Sequence, residues 1–295
     1  FISNSEKVTP QLINSVNQII ELHQKPQSFE FLLFLCSFLY PFIKYISEYQ
    51  LKINSTFIAF FITQNNVKLS ESGLLLFQRY LLNYIQYNPQ SDEKVFELFQ
   101  TIFPPLFNQD QPEILSAVIN IYNTSFSIDM PIPVDSQFST LLIQFLSHYS
   151  SLVTNAALRC LSTAIQHSFP IQLNPEFIAK LLYLFSAPHS SLQMQEKVVS
   201  VFSAIITNTD QSIIAQMPIS DILPTFIHIF ESDISNQYKM MFRAVYILCD
   251  VVRTFSLPVD NLNSLFEFDF TDHFESYPVQ INLITSILSE LSPET

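Results

Sequence analysis

Glycine is almost missing from this chain. Gly73 is the only one among 295 residues, whereas average usage of roughly 7% would give about twenty. Phosphate-binding loops, dinucleotide fingerprints and nucleophile elbows need glycine where the backbone turns sharply or approaches a ligand closely. The sequence therefore excludes these nucleotide-binding and hydrolase sites, and its turns must be made by proline, asparagine, aspartate and serine.

Basic residues are also scarce. The chain has 13 lysines and arginines against 26 acidic residues, for a formal net charge of −13. A protein that binds nucleic acid regardless of its sequence needs many basic residues to displace counterions from the phosphates. We therefore expect no nucleic-acid partner.

The three cysteines, Cys36, Cys160 and Cys249, are odd in number and widely spaced, and each lies in an apolar helical run. This pattern favours buried free thiols in a reducing compartment over a disulfide or a metal-ligand set. We therefore predict an intracellular protein that is cytoplasmic, nuclear or both.

Long apolar runs are absent as well. The longest, Phe31 to Ile43, has 13 residues, and a membrane-spanning helix needs roughly 18 or more. We predict no membrane span and interpret the run as a core helix kinked at Pro41. Four phenylalanines in and beside it are expected in the core rather than in a ligand site: Phe29, Phe31, Phe34 and Phe38.

No pattern of catalytic residues stands out. The six histidines are scattered without the paired spacing of a helical zinc site, and no set of nucleophile, base and orienting group can be nominated. One acidic run could hold a metal through oxygen ligands, although we favour a solvated acidic stretch: Asp269, Asp272, His273 and Glu275. We predict no catalytic activity, no cofactor, no metal site and no small-molecule substrate.

What the chain does contain is a recurring apolar triplet. The first members lie at intervals of 40, 40, 41 and 43 residues, within the roughly 40–47 residues typical of armadillo and HEAT units. The triplets are Phe77, Leu81, Tyr84; Ala117, Ile121, Thr124; Ala157, Leu161, Ala164; Val198, Phe202, Ile205; and Met241, Val245, Leu248. A less regular triplet precedes them: Leu35, Leu39 and Phe42. Each triplet lies on the second helix of a predicted helical hairpin.

Seven such hairpins are predicted. Their first helices lie near Pro10 to His23, Ser55 to Ile62, Ser91 to Phe107, Ser136 to His148, Pro175 to Phe185, Asp221 to Phe230 and Asn261 to Phe268. Their second helices lie near Ser28 to Tyr49, Ser70 to Tyr87, Gln111 to Tyr122, Leu152 to His167, Ser191 to Ile206, Ser235 to Phe255 and Val279 to Leu291. Capping signals precede several of them: Thr9 with Pro10, Asn174 with Pro175, and Ser190 with Gln193. The longest predicted loop runs from Thr124 to Asp135, as a connector or as a binding loop.

The sequence has no sustained strand alternation and no Asn-Gly or Asp-Gly hairpin turn. We therefore predict an all-α fold, a right-handed α-solenoid of about seven armadillo- or HEAT-like helical repeats. We expect a single unit over residues 1–295, with degenerate capping repeats at 1–50 and 258–295.

The stretch from Ser190 to Leu248 resembles armadillo repeats, most closely those of importin-α. The third helix runs from Met241 to Leu248, and earlier third helices begin near Asn155 and Gln195 with the same polar start and apolar body. The likeness covers about residues 150–255. It implies a protein-binding groove lined by the third helices.

In importin-α proteins each third helix carries a tryptophan and, four residues later, an asparagine. By this resemblance the tryptophan places fall at Arg79, Ile119, Arg159, Ser200 and Arg243. The asparagine places fall at Asn83, Asn123, Thr163, Ala204 and Ile247. This chain has no tryptophan and keeps two of the five asparagines, so it departs from the pattern that grips basic cargo peptides.

Arginine takes the place of tryptophan three times. The chain has only four arginines, and Arg79, Arg159 and Arg243 share one repeat position. That position lies two residues after the first triplet member, a rotation of roughly 200° from the buried side. We therefore expect these side chains on the exposed side of the third helices, although they could equally be solvated or paired with neighbouring acids.

Together these patterns predict a non-enzymatic interaction scaffold. We expect it to bind a peptide or helix of another protein in its concave groove, and to favour a segment that carries carboxylates, as the basic groove of β-catenin-like proteins does. The alternative is a divergent nuclear import adaptor of the importin-α kind. The predicted groove residues are Arg79, Asn83, Asn123, Arg159, Thr163, Ser200 and Arg243.

Overall fold

The computed structural model describes residues 9–21, 28–45, 51–85, 93–134, 136–187 and 190–209, together with the single positions 249, 252, 282, 285, 286 and 289. Several predictions lie outside these ranges. They include the first helices of the last two hairpins, near Asp221 to Phe230 and Asn261 to Phe268, and most of their second helices, near Ser235 to Phe255 and Val279 to Leu291. They also include the triplet that begins at Met241, the predicted groove residue Arg243, and the acidic run at residues 269–275.

The described ranges contain helices and no strand, which confirms the all-α prediction. The α-helices are α1 (Pro10–Glu21), α2 (Phe29–Leu39), α3 (Ser55–Ile62), α4 (Val67–Tyr80), α5 (Glu93–Thr101), α6 (Phe103–Leu106), α7 (Pro112–Ser127), α8 (Ser136–Phe145), α9 (Ser151–Gln166), α10 (Pro175–Ser186) and α11 (Leu192–Asn208). A 3-10 segment (Tyr40–Tyr45) follows α2, and a π-helical turn (Leu81–Ile85) follows α4.

Capping side chains set several helix starts, as predicted. The hydroxyl of Thr9 accepts a hydrogen bond from the backbone N–H of Leu12 at 3.3 Å, and Oδ1 of Asn174 accepts one from Phe177 at 2.8 Å. The predicted cap at Ser190 is wrong. Ser191 caps α11 instead, by accepting from the N–H of Met194 at 3.2 Å.

The reason lies in the preceding helix. The hydroxyl of Ser190 donates to the carbonyl of Leu184 near the end of α10, which orients the side chain towards that helix. Ser190 therefore closes one helix, and its neighbour opens the next.

Proline explains two departures from the predicted helices. The α2 helix ends at Leu39 and continues as the 3-10 segment containing Pro41, because proline clashes with the carbonyl one turn earlier and has no N–H to donate. The predicted helix from Ser91 to Phe107 is broken into α5 and α6, with prolines in the first turn of α6, where the missing N–H has no helical partner to lose.

The loop predicted from Thr124 to Asp135 begins four residues too early. Helix α7 continues to Ser127 because Thr124, Ser125 and Phe126 are buried against the rest of the unit. The turn then follows at Asp129, whose φ of 51° is left-handed, and the N–H of Met130 bonds back to the carbonyl of Ser125 at 3.0 Å.

The repeated triplets form the core, as the spacing predicts. Every member whose side chain is described is at most 6% exposed. These members are Leu35, Leu39, Phe42, Phe77, Leu81, Ala117, Ile121, Thr124, Ala157, Leu161, Ala164, Val198, Phe202 and Ile205. Their burial on successive helices is what an α-solenoid requires, because each repeat can hide its apolar side only against its neighbours.

The phenylalanines of α2 are not core residues, contrary to expectation. Phe34 is 58% exposed, and the buried side of α2 is formed by Leu32, Leu35, Cys36 and Leu39. Helix geometry carries Phe34 and Phe38 to a flank of this side, where their rings stack on each other at 5.7 Å.

The chain divides into two compact units. One unit comprises Phe1–Asp135 and Ser150–Ala156, and the other Ser136–Tyr149 and Ala157–Thr295. In the first, α2 and α3 pack against α4, and α4 packs against α7; in the second, α10 packs against α11. The prediction of one continuous array over residues 1–295 stays a prediction.

Gly73 allows a close approach between two helices of the first unit. A Cβ atom at this position would lie 2.9 Å from the backbone nitrogen of Ile62 and 2.9 Å from Cβ of Phe61. The one glycine therefore serves packing between α3 and α4 rather than a turn. Below this contact, the rings of Phe77, Phe99, Phe103 and Tyr122 form an edge-to-face cluster with centroids 5.0–6.4 Å apart.

Candidate functional site

The uncovered side of α4 and of the π-helical turn that follows it carries a line of side chains that we call the α4 stripe: Lys68, Ser72, Leu75, Arg79 and Leu82. These residues recur at three- and four-residue spacing and so share one side of the helix. Leu75 is 44% and Leu82 36% exposed. Two large apolar side chains thus lie in solvent on either side of Arg79, one turn away in each direction.

Arg79 is half-buried rather than fully exposed. Its Cζ lies 5.8 Å from the centroid of the Tyr40 ring, within range of a cation–π interaction. Its Nε is enclosed and has no hydrogen-bond partner, and no ion pair of Arg79 occurs among the described residues. The guanidinium is therefore partly desolvated, held by an aromatic ring, and without an acidic partner in this part of the chain.

Asn83 is turned onto its own helix. Its Nδ2 donates a 2.8 Å hydrogen bond to the carbonyl of Arg79, inside the π-helical turn that follows α4. A π turn widens the helix and shifts its backbone hydrogen bonds, so a side-chain donor can take up a carbonyl there. Of the two predicted groove residues on this helix, Arg79 presents its side chain outward and Asn83 stabilises the backbone beneath it.

Asn123 lies on the neighbouring helix α7 and is half-buried. Its Oδ1 is enclosed and lacks a hydrogen-bond partner. The next residue, Thr124, accepts a 3.0 Å hydrogen bond from Nε2 of Gln78, the residue before Arg79. The α4–α7 contact thus places an unpaired donor, Arg79 Nε, and an unpaired acceptor, Asn123 Oδ1, each adjacent in sequence to the pair that joins the two helices.

Ile119 occupies a groove place in the sequence register but is fully buried. The open side of α7 is narrower than that of α4 and carries Asn120, Asn123 and Ser127 instead. The rotation argument for this repeat position therefore fails at Ile119, because neighbouring elements cover more of α7.

In the second unit, Arg159 on α9 is exposed, whereas Thr163 and Ser200 are half-buried. The hydroxyl of Ser162 donates to the carbonyl of Ser200 on α11 at 3.2 Å, and the hydroxyl of Ser200 bonds to the carbonyl of Glu196 at 2.9 Å. Arg159 lies three residues before Ser162, and Lys197 lies three residues before Ser200. The same helix contact therefore carries two cationic side chains one turn away.

The pKa of Lys197 lies below its ordinary value. Desolvation is the main cause, and the positive charge of Arg159 adds to it, while Glu196 acts in the opposite direction. The charge of Arg159 thus reaches Lys197, and we call these two residues the basic pair of the second unit. Sequence reasoning found Arg159 but missed Lys197, as it missed Tyr40, Leu75 and Leu82, because only the packed structure brings these groups together.

The cysteines are buried, and the described residues form no metal-binding cluster. All three cysteines are buried and free, as expected, and burial raises the pKa of Cys36 to about 12 and that of Cys160 further. The described residues hold no group of three or more histidine, cysteine, aspartate or glutamate side chains placed to bind a metal ion.

We also find, within the described ranges, no helix with both the length and the apolar character needed to cross a bilayer.

Comparison with known proteins identifies solved structures with a similar fold. No protein-family model matches the sequence, and neither does any curated protein. Among solved structures, an engineered protein from a structural genomics consortium aligns with a TM-score of 0.56 and 14% identity, over 80% of this chain and 98% of that one. A second engineered protein from the same consortium aligns with a TM-score of 0.52 and 17% identity, over 82% and 98%.

A designed armadillo repeat protein aligns with a TM-score of 0.51 and 12% identity, over 79% of this chain and 99% of that chain. At these identities the likeness concerns the fold alone, so the narrower resemblance to importin-α stays a prediction. The all-helical elements, the buried triplets and these structural neighbours agree that the chain has an armadillo-type repeat fold, of the α-solenoid class.

Proposed function

We propose that the protein is a non-enzymatic interaction scaffold that binds a carboxylate-bearing segment of another protein. The binding surface is formed by the uncovered sides of the helices that carry the buried triplets, such as α4 and α9. The observation that carries the proposal is the state of Arg79. A guanidinium with an enclosed, unpaired Nε lies on an aromatic ring between two exposed leucines. Arginines in partly desolvated, apolar surroundings are the side chains that dominate many protein interfaces.

A carboxylate fits this arrangement chemically. Guanidinium groups bind carboxylates through two parallel charge-assisted hydrogen bonds, and contact with Tyr40 holds the fork in place before a ligand arrives. The entropy lost on binding is correspondingly small.

The net charge of −13 limits the places where an acidic segment can bind. An acidic segment is repelled by most of such a surface and gains attraction only where cations concentrate. Arg159 and Lys197 form the second such place, because each lies one helical turn before a residue of the Ser162–Ser200 hydrogen bond that joins α9 and α11. The proposal therefore names two separate contact points, one in each unit.

The fold agrees with this role. Stacked helical repeats commonly present long surfaces on which other chains are held, although a fold by itself sets only an expectation about function. The absence of a nucleophile, base and orienting group in the sequence gives no reason to assign a reaction.

The test compares an acidic and a basic peptide of equal length and apolar content. Binding to the wild-type chain and to an Arg79→Glu, Arg159→Glu variant is measured by fluorescence anisotropy at several salt concentrations. We expect the acidic peptide to bind the wild type, and to lose at least tenfold in affinity and most of its salt dependence with the variant.

The matched comparison is between the single variants Arg79→Glu and Lys94→Glu, which change the net charge equally. Lys94→Glu is the control, because it alters an exposed lysine on α5. Its affinity for the acidic peptide should stay within a factor of about two of the affinity expected from net charge alone. The proposal is wrong if the control and the arginine variant lose affinity equally. It is also wrong if the basic peptide binds better and depends on Asn83 and Asn123, a result that would favour an import adaptor.

A further inference from the structure

The α4 stripe has a spacing that points to the conformation of its partner. This inference rests on the proposed function and deepens it for the first unit. Its last three members are ordered apolar, basic, apolar at Leu75, Arg79 and Leu82, with steps of four and three residues. At about 1.5 Å of rise per residue, the two leucines lie about 10 Å apart along the helix axis.

An extended segment matches this distance poorly. Its side chains repeat on one side every second residue, so same-side positions lie about 7 Å or about 13 Å apart, at roughly 3.3 Å per residue. A helix matches it directly, because residues seven apart share one side and lie about 10 Å apart. In such a helix, a residue that lies three or four positions after the first of the two also falls on that side.

We propose that the α4 stripe docks an acidic amphipathic helix of another protein. This helix carries apolar residues seven positions apart, which pack against Leu75 and Leu82, and an aspartate or glutamate between them, which pairs with Arg79. Charge complementarity selects this occupant, because the half-buried guanidinium has no acidic partner among the described residues.

The surroundings of Arg79 support a preformed anchor. The Tyr40 ring beneath the guanidinium is 46% exposed, so it can also contact the docked helix at its edge. The Asn83 side chain donates a 2.8 Å hydrogen bond to the carbonyl of Arg79. This bond stabilises the π-helical turn that contains Leu82. Recognition of an amphipathic helix through anchors at such intervals is a common mode of protein interaction.

The probes are three labelled, end-capped peptides of about 20 residues in an alanine-rich helical background, long enough to be helical in isolation. The first carries leucine, glutamate four residues later, and leucine three residues after that. The second reverses the two steps, to allow for the opposite direction of docking. The third has the sequence of the first, except that two background alanines are replaced by prolines that prevent a helix.

Affinities are measured for the wild type and for Arg79→Glu, with circular dichroism and thermal melts to verify that each variant is folded. We expect one of the helical peptides to bind at least tenfold more tightly than the proline peptide, and to lose at least tenfold with Arg79→Glu. A version of that peptide with lysine in place of glutamate should regain affinity for Arg79→Glu. Lys94→Glu, with the same charge change at an exposed site on α5, should leave the affinity within a factor of two.

A second variant keeps the test decisive if Arg79→Glu fails to fold. Leu75→Ser alters an exposed side chain and should weaken the preferred helical peptide about three- to tenfold, with no loss for the proline peptide. If the proline peptide binds as tightly as the helical ones in an Arg79-dependent manner, the helix inference is wrong and the proposed function stands. If no peptide depends on Arg79, both are wrong for the first unit.

Discussion

The guanidinium carbon of Arg79 lies 5.8 Å from the ring centroid of Tyr40, which joins the α4 stripe to the 3-10 segment after α2. A cation on an aromatic face contributes about 0.5–1 kcal/mol at exposed sites and about 2 kcal/mol when desolvated. We predict a coupling free energy of about 1 kcal/mol between the two side chains. Urea unfolding of Tyr40→Leu, Arg79→Met and the double variant measures it; additive effects would contradict the contact.

Asn123 and Thr124 are adjacent in sequence, but we expect their substitution to have opposite effects on the free energy of unfolding. Oδ1 of Asn123 is enclosed without a partner, whereas the hydroxyl of Thr124 accepts from Gln78 at 3.0 Å. Removing an unsatisfied buried acceptor can be neutral or stabilising, while removing one member of a buried pair costs about 1 kcal/mol or more.

We therefore expect Asn123→Ala to leave the free energy of unfolding unchanged or raise it by about 1 kcal/mol, and Thr124→Val to lower it by about 1 kcal/mol. Chemical denaturation of both variants checks the contrast. A large loss for Asn123→Ala would mean that its carboxamide stabilises the fold, and it would remove the case for Asn123 as a ligand contact.

Gly73 is predicted to be required for packing, although alanine favours a helix by about 1 kcal/mol. Its added Cβ would meet the backbone nitrogen of Ile62 and Cβ of Phe61 at 2.9 Å, and neither is the flexible end of a side chain. Overpacking of this kind costs about 1–3 kcal/mol, so we expect Gly73→Ala to lower the free energy of unfolding by about 1 kcal/mol.

Ser72→Ala is the matched control for Gly73→Ala. Its hydroxyl bonds only to the carbonyl of Lys68 in its own helix, at 2.8 Å, so replacement by alanine should be neutral or slightly stabilising. Equal thermal shifts for the two variants would refute a steric role for Gly73.

Lys197 should titrate below its ordinary value of 10.5. Desolvation is the larger cause, so Arg159→Gln should raise the pKa only part of the way, whereas Glu196→Gln should lower it further. Nuclear magnetic resonance of the lysine side chains measures all three values. An unchanged pKa in Arg159→Gln would separate the two cations and leave the second contact point without support.

The sign of the stability effect follows from linkage. Because the folded-state pKa of Lys197 is depressed, the folded chain loses this proton at lower pH than the unfolded chain does. The contribution of Lys197 to stability therefore rises as the pH increases from the folded-state pKa towards 10.5. The wild type should gain stability relative to Lys197→Gln over that alkaline window.

Helix caps illustrate which details the sequence could predict. Asn174 was identified because a capping side chain followed by proline is a local signal that needs no distant partner. Ser190 was not assigned correctly because two adjacent serines can each cap a helix, and the choice depends on the carbonyl of Leu184 at the end of the preceding helix. Local chemistry can be inferred from neighbours in sequence, but competition between equivalent groups is settled by packing.

The amino-acid order alone determined the helical repeat and its buried side, because a spacing near 40 residues and a turn of 3.6 residues place Phe77, Ala157 and Val198 where only a neighbouring repeat can cover them. Tertiary structure decided which of the remaining sides stay open. It buried Ile119, left Phe34 in solvent and laid Arg79 on Tyr40, since exposure depends on what other elements cover, and a periodic pattern on one helix carries no information about them.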